Sequence, residues 1–176
     1  MDVAGRNKVI KVRSYESPCG RLSLGSFDGR LCLCDWQTGQ HSSRVDARLK
    51  RMLGATFEEG TSPTTEKAQL QLDGFFAGIR RCFDVPLLFA GTTFQETVWS
   101  ELLKIPFGTT VSYAELAKRI GMPTAYRAVA NANGANPMSI FVPCHRVVGS
   151  NGSLGGYGGG IVAKKMLLDL EARLMV

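Results

Sequence analysis

The chain has 176 residues, of which 44% are hydrophobic, and a formal net charge of +6 at neutral pH. This composition is typical of a globular protein with enough apolar material for one domain or two small ones. No apolar run approaches the roughly 18 residues of a membrane helix, and no secretory signal is recognisable. We therefore expect a cytoplasmic protein, or a nuclear one in a eukaryote. The positive charge is compatible with a nucleic-acid partner, but it is shared equally by the two halves and locates no surface.

The first half indicates a small α/β unit. Apolar and polar residues alternate over 8–36, and the dipeptide Asp28-Gly29 lies between two such segments. Asp-Gly in this setting predicts a tight β-hairpin. A short helix is predicted over 44–53, and a second over 66–81, after Pro63, with an apolar stripe that includes Phe75, Phe76 and Ile79.

The five cysteines do not show the spacing of a metal site or a disulfide framework. Cys32 and Cys34 would share one face of a strand, but no second pair or nearby histidine completes a zinc site. We expect four of the five (Cys19, Cys32, Cys34 and Cys82) to be small core residues in a reducing compartment. No metal and no other cofactor are predicted.

The second half predicts a pair of short helices joined by a tight turn. A helix that opens at Thr93, with Glu96 completing a capping box, should end near Pro106. Ser112 and Glu115 form a second box ahead of a helix over 113–120. After the turn at 121–123, a further helix over 124–133 completes a helix-turn-helix pattern. The glycine-rich stretch 150–160 would then form a wing hairpin.

The apolar run 140–148 is interrupted by Pro143-Cys144-His145-Arg146. In one interpretation Cys144 is a small buried hydrophobe, with His145 and Arg146 on the other face. We favour a nucleophilic thiol, because a base or a cation beside a cysteine promotes the reactive thiolate. Adjacent side chains point to opposite faces of a strand, so we expect Pro143 to set a turn here or a water to relay the proton.

Several motifs in a fixed order resemble the O6-alkylguanine-DNA alkyltransferases. The signature is Pro-Cys-His-Arg-Val-Val at 143–148, and the resemblance covers roughly the last half of the chain closely. The other matching stretches lie at 91–99, 105–113, 127–130, 136–137 and 156–160. The family implies an α/β (α+β) fold, with a ribonuclease H-like support domain at 1–90 and a winged helix-turn-helix domain at 91–176.

The resemblance also implies the chemical roles. Cys144 would receive the alkyl group, and His145 would be its base, acting through a water and oriented by Glu171. Asp169 competes for the place of Glu171. Tyr113 would orient the flipped nucleotide or donate a proton to the leaving base.

At the DNA interface, Arg127 would enter the base stack and fill the space of the extruded base. Thr124, Tyr126 and Ala128 would lie beside it on the second helix. The substrate pocket would contain Asn136, Val147, Gly155, Gly156, Tyr157 and Gly158. Gly158 stands where some relatives have serine, so we expect a backbone N–H to contact the purine oxygen. A cavity that a nucleobase can enter should lie beside Cys144.

The predicted function is direct repair of DNA. The alkyl group of O6-alkylguanine in double-stranded DNA would pass once to Cys144 of a monomeric protein, with O4-alkylthymine as a second candidate substrate. Three alternatives are a non-catalytic protein that binds alkylated DNA, a winged-helix regulator and a cysteine hydrolase. The first carries another residue in place of the cysteine, the second leaves the Cys-His-Arg motif unexplained, and the third predicts turnover.

Overall fold

The computed structural model describes residues 7–176 and shows a mixed α/β chain. Its first half contains one sheet in the order β3-β2-β1-β4, in which only the β1–β4 pair is parallel. The strands are β1 (Val9–Ser17), β2 (Gly20–Phe27), β3 (Arg30–Trp36) and β4 (Thr56–Glu59). The predicted hairpin is confirmed: Phe27 pairs with Arg30, and Asp28 and Gly29 between them both have positive φ, as a type I′ turn requires.

Two helices complete the first half, α1 (Gly39–Leu53) and α2 (Pro63–Phe76). Helix α1 begins five residues before the predicted segment, so the polar stretch after β3 is helical from Gly39 onward. Helix α2 ends at Phe76 rather than Arg81, because the chain turns at Ala77 and Gly78. The prediction for Ile79 was wrong: it lies beyond the helix and is exposed, whereas Phe75 is buried.

The predicted helices of the second half are present: α3 (Thr93–Leu102), α4 (Tyr113–Arg119) and α5 (Tyr126–Gly134). The capping box of α3 lies one residue earlier than predicted, because Thr92 is the N-cap and exchanges hydrogen bonds with Gln95. Ser112 caps α4 by accepting from the Glu115 N–H. Helices α4 and α5 pack against each other and against α3.

The chain after α5 returns to the first sheet before it reaches the cysteine motif. Cys34 of β3 donates to the Pro137 carbonyl and accepts from the Ser139 N–H. A short 3₁₀-helix, Cys144–Arg146, leads into β6 (Val147–Val148), which pairs in parallel with β5 (Val111–Ser112). The last element is α6 (Gly160–Arg173).

The predicted wing hairpin is wrong. Residues 150–159 form turns and irregular loop without strand pairing, since the glycines there permit tight turns and offer no side chains to a ladder. The loop closes on itself where the Gly149 N–H donates to the Ser153 carbonyl.

The main hydrophobic core draws residues from both halves, including Leu24 and Phe75 from the first and Trp99 and Leu167 from the second. The division at residue 90 therefore stays a prediction. Among the cysteines, Cys32 and Cys34 are core residues, but Cys19 is half-buried and Cys82 is exposed, which corrects the prediction for Cys82. Among residues 7–176, no helix is long and apolar enough to cross a membrane.

Gly91, at the start of the second half, lies against the ring of Trp99. A β-carbon added there would lie 2.4 Å from the ring, whereas one added at Gly134 would meet nothing within 4 Å. We predict that Gly91→Ala lowers the free energy of unfolding by about 1–3 kcal/mol, because overpacking forces neighbours out of place. Urea denaturation measures the loss. Gly134→Ala is the matched control, and equal effects of the two substitutions would contradict this packing.

Candidate active site

Cys144 lies at the start of a single turn and not in a strand. Pro143 precedes it, and the Cys144 N–H donates to the Val142 carbonyl at 2.8 Å. The expected departure from strand geometry at Pro143 is therefore confirmed. The thiol is buried, with 4% of the residue exposed. A cysteine that is buried to this extent reacts only with a group that can enter the space around its sulfur.

The loop before Cys144 is held by Asn136. Its side-chain amide donates to the Val142 carbonyl at 2.9 Å, and its side-chain oxygen accepts from the Met138 N–H at 3.0 Å. Ile140, inside this loop, has a φ of 74°. Such a conformation costs a β-branched residue on the order of 1–3 kcal/mol, so the surrounding contacts must enforce it. Asn136 is therefore placed to order the loop beside the thiol.

Glu171 is the centre of a buried cluster that joins α6 to the cysteine turn. Its carboxylate accepts from His145 Nε2 at 2.8 Å and from Arg146 Nη2 at 2.7 Å. The Gly108 N–H donates to its second oxygen at 3.1 Å, and Arg146 also donates to the Ile105 carbonyl. The side chain of Asp169 is exposed and pairs with Lys165, so Glu171 and not Asp169 has the predicted position.

The cluster determines the protonation of His145. With Nε2–H directed at Glu171, the second ring nitrogen, Nδ1, is the unprotonated acceptor, and it is buried without a hydrogen-bond partner among the described residues. Burial lowers the His145 pKa and outweighs the opposing effect of Glu171. His145 is therefore a neutral imidazole at neutral pH, with a free basic nitrogen.

The Cys144 thiol is protonated in the closed structure. Burial raises its pKa, and hydrogen bonds from Asn136 and Ser139 and the charge of Lys164 oppose the rise only in part. A thiol in this state needs a base to become a nucleophile. Lys164, which is fully buried and donates to the Val147 carbonyl at 2.6 Å, supplies the nearby positive charge.

A small chamber of about 10 Å³ lies at Cys144, about the minimum that can hold one water molecule. It opens toward a vestibule of about 560 Å³. The two share five residues: His41, Gly134, Gly156, Tyr157 and Gly158. The expectation of a cavity at the sulfur that already admits a nucleobase was wrong for this structure, because the ring of His41 and the glycine-rich loop fill the space between vestibule and thiol.

The predicted pocket residues are only partly brought together. Asn136, Gly156, Tyr157 and Gly158 line the chamber, whereas Gly155 and Val147 do not. The Val147 N–H donates to the Cys144 carbonyl and closes the cysteine turn.

Two tyrosines lie near the thiol. A β-carbon added at Gly155 would lie 3.2 Å from the Tyr113 hydroxyl, which places this tyrosine against the loop. Burial raises the pKa of Tyr113, and ionisation of Cys144 would add to the rise. Tyr157 packs edge-on against Trp36, and its pKa is raised by the same two causes. Both hydroxyls therefore stay protonated and can donate.

The predicted DNA-contacting residues share one surface at the start of α5. Thr124, Tyr126, Arg127 and Ala128 are all exposed. Arg127 forms no ion pair or side-chain hydrogen bond with any of residues 7–176, so its guanidinium is available. Their contact with DNA stays a prediction.

Sequence reasoning missed Lys164, Asp35 and His41. The buried face of α6 consists of Ala163, Lys164, Leu167 and Glu171, whereas Val162 and Met166 are exposed. Spacings of three and four residues from Leu167 place Lys164 and Glu171 on one face, and this signal was present in the sequence. Asp35, at the end of an apolar strand, is a buried acid.

Comparison with known proteins identifies the family. The model of the 6-O-methylguanine DNA methyltransferase DNA-binding domain matches residues 93–173. A methylated-DNA–protein-cysteine methyltransferase of Mycobacterium tuberculosis is 51% identical over 169 residues, which cover 93% of each chain. This chain belongs to that family.

A second relative and a solved structure lead to the same family. A Methanosarcina acetivorans relative is 52% identical over 158 residues, covering 89% of this chain and 95% of the relative. The crystal structure of Mycobacterium tuberculosis OGT in complex with DNA matches with a TM-score of 0.79 at 41% identity, covering 93% of this chain and 94% of that one. The methyltransferase family thus extends over the first half, where the sequence resemblance is loose.

The Glu171 cluster predicts a specific loss of stability in acid. Burial raises the pKa of Glu171, but the hydrogen bonds from His145 and Arg146 and the charge of Arg146 outweigh it and lower the pKa to about 2. A carboxyl whose pKa is depressed on folding stabilises the protein above its unfolded pKa. That contribution, roughly 3 kcal/mol, is lost as the pH falls from about 4.5 to 2.

Urea denaturation between pH 7 and pH 2.5 measures this loss. We predict that Glu171→Gln is less stable than the wild type at pH 7 and loses less stability on acidification. Asp169→Asn, a matched change on the exposed face of α6, should follow the wild type. An acid dependence of Glu171→Gln equal to that of the wild type would contradict the assignment.

Proposed function

We propose that this protein repairs alkylated DNA by moving an alkyl group from O6 of guanine to the sulfur of Cys144. The observation that carries the proposal is a buried thiol beside a neutral histidine, which a buried glutamate orients. The sulfur–carbon bond forms as the carbon–oxygen bond breaks, and the base takes the electron pair and a proton. Because the resulting thioether does not hydrolyse, each molecule acts once.

His145 activates the thiol through a water in the chamber. The chamber at Cys144 has about the minimum volume that can hold one water molecule, and the unprotonated Nδ1 of His145 is a free acceptor. A water between them passes the thiol proton to Nδ1, and Glu171 stabilises the imidazolium that forms. The charge of Lys164 stabilises the thiolate.

Duplex DNA binds at the α4–α5 pair. Positive residues there attract phosphates without regard to sequence, and Arg127 fills the space of the extruded base. Extrusion is required because the chamber lies inside the protein, where a stacked base cannot reach the sulfur. The second half, 91–176, is then a helix-turn-helix unit in which the loop 150–159 takes the place of a wing, supported by a ribonuclease H-like unit over 1–90.

Tyr113 and the loop 155–158 hold the flipped base. The hydroxyl of Tyr113 lies against Gly155 and keeps its proton, so it can donate to the purine. Gly156 and Gly158 allow the base to approach the backbone closely.

The alternatives account for fewer of these features. A non-catalytic binding protein has no use for Cys144 together with the His145–Glu171 pair. A transcriptional regulator leaves the buried cluster unexplained, and a hydrolase requires turnover.

Incubation with duplex DNA that contains O6-methylguanine tests the proposal. We expect mass spectrometry to find about one methyl group per chain, mapped to Cys144, and none on Cys144→Ala. Cys82→Ala, which removes an exposed thiol, is the control and should be modified like the wild type. Methylation that exceeds one group per chain, or that maps to Cys82, would overturn the proposal.

Arg127 supplies a second test of the flipping step. We predict that Arg127→Ala lowers the single-turnover rate on duplex DNA by about 10- to 100-fold, because extrusion of a base costs a few kcal/mol that the inserted side chain offsets. Its rate on free O6-methylguanine should match the wild type. Lys165→Ala, an exposed cation on α6, is the control. Equal losses on duplex and free base would count against insertion.

A further inference from the structure

His41 occupies the boundary between the vestibule and the Cys144 chamber. It lies in the first turn of α1, directly after the β3 strand, and its ring lines both cavities. Of the five shared residues, three are glycines. Only His41 and Tyr157 can present a side-chain polar group to a molecule that passes from vestibule to thiol.

The imidazole of His41 fills the space of a side chain at position 158. A β-carbon added to Gly158 would lie 3.1 Å from Cε1, 3.3 Å from Nδ1 and 3.4 Å from Nε2 of His41. Gly158 is also tied to the start of α1, since its carbonyl accepts from the Thr38 hydroxyl at 2.8 Å. The absence of a side chain at Gly158 and the position of His41 are thus two aspects of one packing arrangement.

Asp35 lies beside the Nδ1 atom of His41. Its carboxylate is buried, and Oδ1 lies 3.3 Å from His41 Nδ1. Neither oxygen of Asp35 has a well-formed hydrogen bond within the described residues. A buried carboxylate needs a partner, and the nearest side chain that can serve is the imidazolium of His41.

The electrostatic surroundings favour the protonated ring. The charged groups around it are Asp35 at the end of β3 and Arg48 on α1, while α5 contributes the Gly134 carbonyl and the 156–160 loop the Tyr157 hydroxyl. The close contact with the Asp35 carboxylate raises the His41 pKa, against burial and the charge of Arg48. The positive end of α1 also disfavours the cation, so Asp35 is required to maintain it.

On this basis, and on the proposed alkyl transfer, we propose that His41 is a catalytic donor to the purine oxygen, with Asp35 as its positioning residue. In the closed structure His41 Nε2 lies 2.7 Å from the Gly134 carbonyl. An entering base displaces the ring from this acceptor, and Nε2–H then donates to the purine oxygen instead. Gly158 has no side chain that could donate to the purine oxygen, and His41 of α1 supplies that hydrogen bond instead.

The donor acts on the charge that develops during transfer. As the sulfur attacks the alkyl carbon, the electron pair of the carbon–oxygen bond moves to the purine, and His41 gives its Nε2 proton to the leaving base. The neutral imidazole then takes a proton from water. A donor aimed at developing negative charge accelerates such a step by about 100- to 1000-fold in other enzymes.

The single-turnover rate of methyl transfer to Cys144, followed by mass spectrometry with O6-methylguanine duplex DNA, tests the role. We expect His41→Ala to be at least about tenfold slower than the wild type. Gly158→Ser should also be slower, because its β-carbon meets the ring of His41. In the His41→Ala background the same serine has room, and its hydroxyl should restore at least part of the rate. Gly158→Ser should therefore slow the transfer in the wild type and speed it in the His41→Ala variant, and this opposite effect is the decisive result.

The pH profile separates a donor from a packing residue. The wild-type transfer rate should fall as the pH rises through the raised pKa of His41, because the imidazolium then loses its proton. Asp35→Asn should move this fall to lower pH, and His41→Ala should lack it. Thermal denaturation of each variant measures any loss of folding, and His41→Gln provides a variant that keeps a neutral donor.

Each outcome decides a different question. A wild-type rate in His41→Ala, or a double variant no faster than His41→Ala alone, overturns the role of His41 and leaves the transfer to Cys144 intact. A wild-type protein that acquires no methyl group overturns the proposed function itself.

Discussion

The site depends on the hydrogen bonds that the buried carboxylate of Glu171 accepts. The carboxylate receives hydrogen bonds from His145, Arg146 and the Gly108 backbone, and so connects α6, the cysteine turn and the end of the α3 segment. Removal of one partner from such a cluster leaves a buried charge uncompensated, at a cost of about 3–5 kcal/mol. The same contacts that stabilise the fold also fix the tautomer of His145.

The closed chamber explains how a reactive thiol stays unreactive in the absence of DNA. Burial raises the pKa of Cys144, the chamber holds little more than one water, and the His41 ring and glycine-rich loop separate it from the vestibule. Only a group that can displace these elements reaches the sulfur. In the proposed function, a nucleobase that has left its stack displaces them.

Much of the fold could be predicted from local sequence signals. Asp28-Gly29 predicted a type I′ hairpin, and the paired polar residues before α3 and α4 predicted helix starts to within one residue. The wing could not be predicted correctly, because the glycine content of 150–160 is compatible with a hairpin tip and with an irregular loop. Only contact with Trp36 and α1 selects the loop.

The site shows the same limit. Cys144 and His145 follow from their motif and Glu171 from the resemblance, but Asp35 and His41 become neighbours of the thiol only when β3 and α1 fold against α5. No spacing along the chain reports that approach, since His41 is 93 residues from the Gly134 carbonyl that it contacts. Lys164 could have been found, because it shares a helical face with Leu167 and Glu171.

The protonation state of His145 is the most direct measure of the account. The chain has two histidines, so ¹⁵N NMR of histidine-labelled protein, with His41→Ala for assignment, resolves the His145 ring. We expect a neutral imidazole at pH 7, with the proton on Nε2 and an unprotonated Nδ1. A proton on Nδ1, or an imidazolium that persists at pH 7, would contradict it, because His145 could then not accept the proton of Cys144.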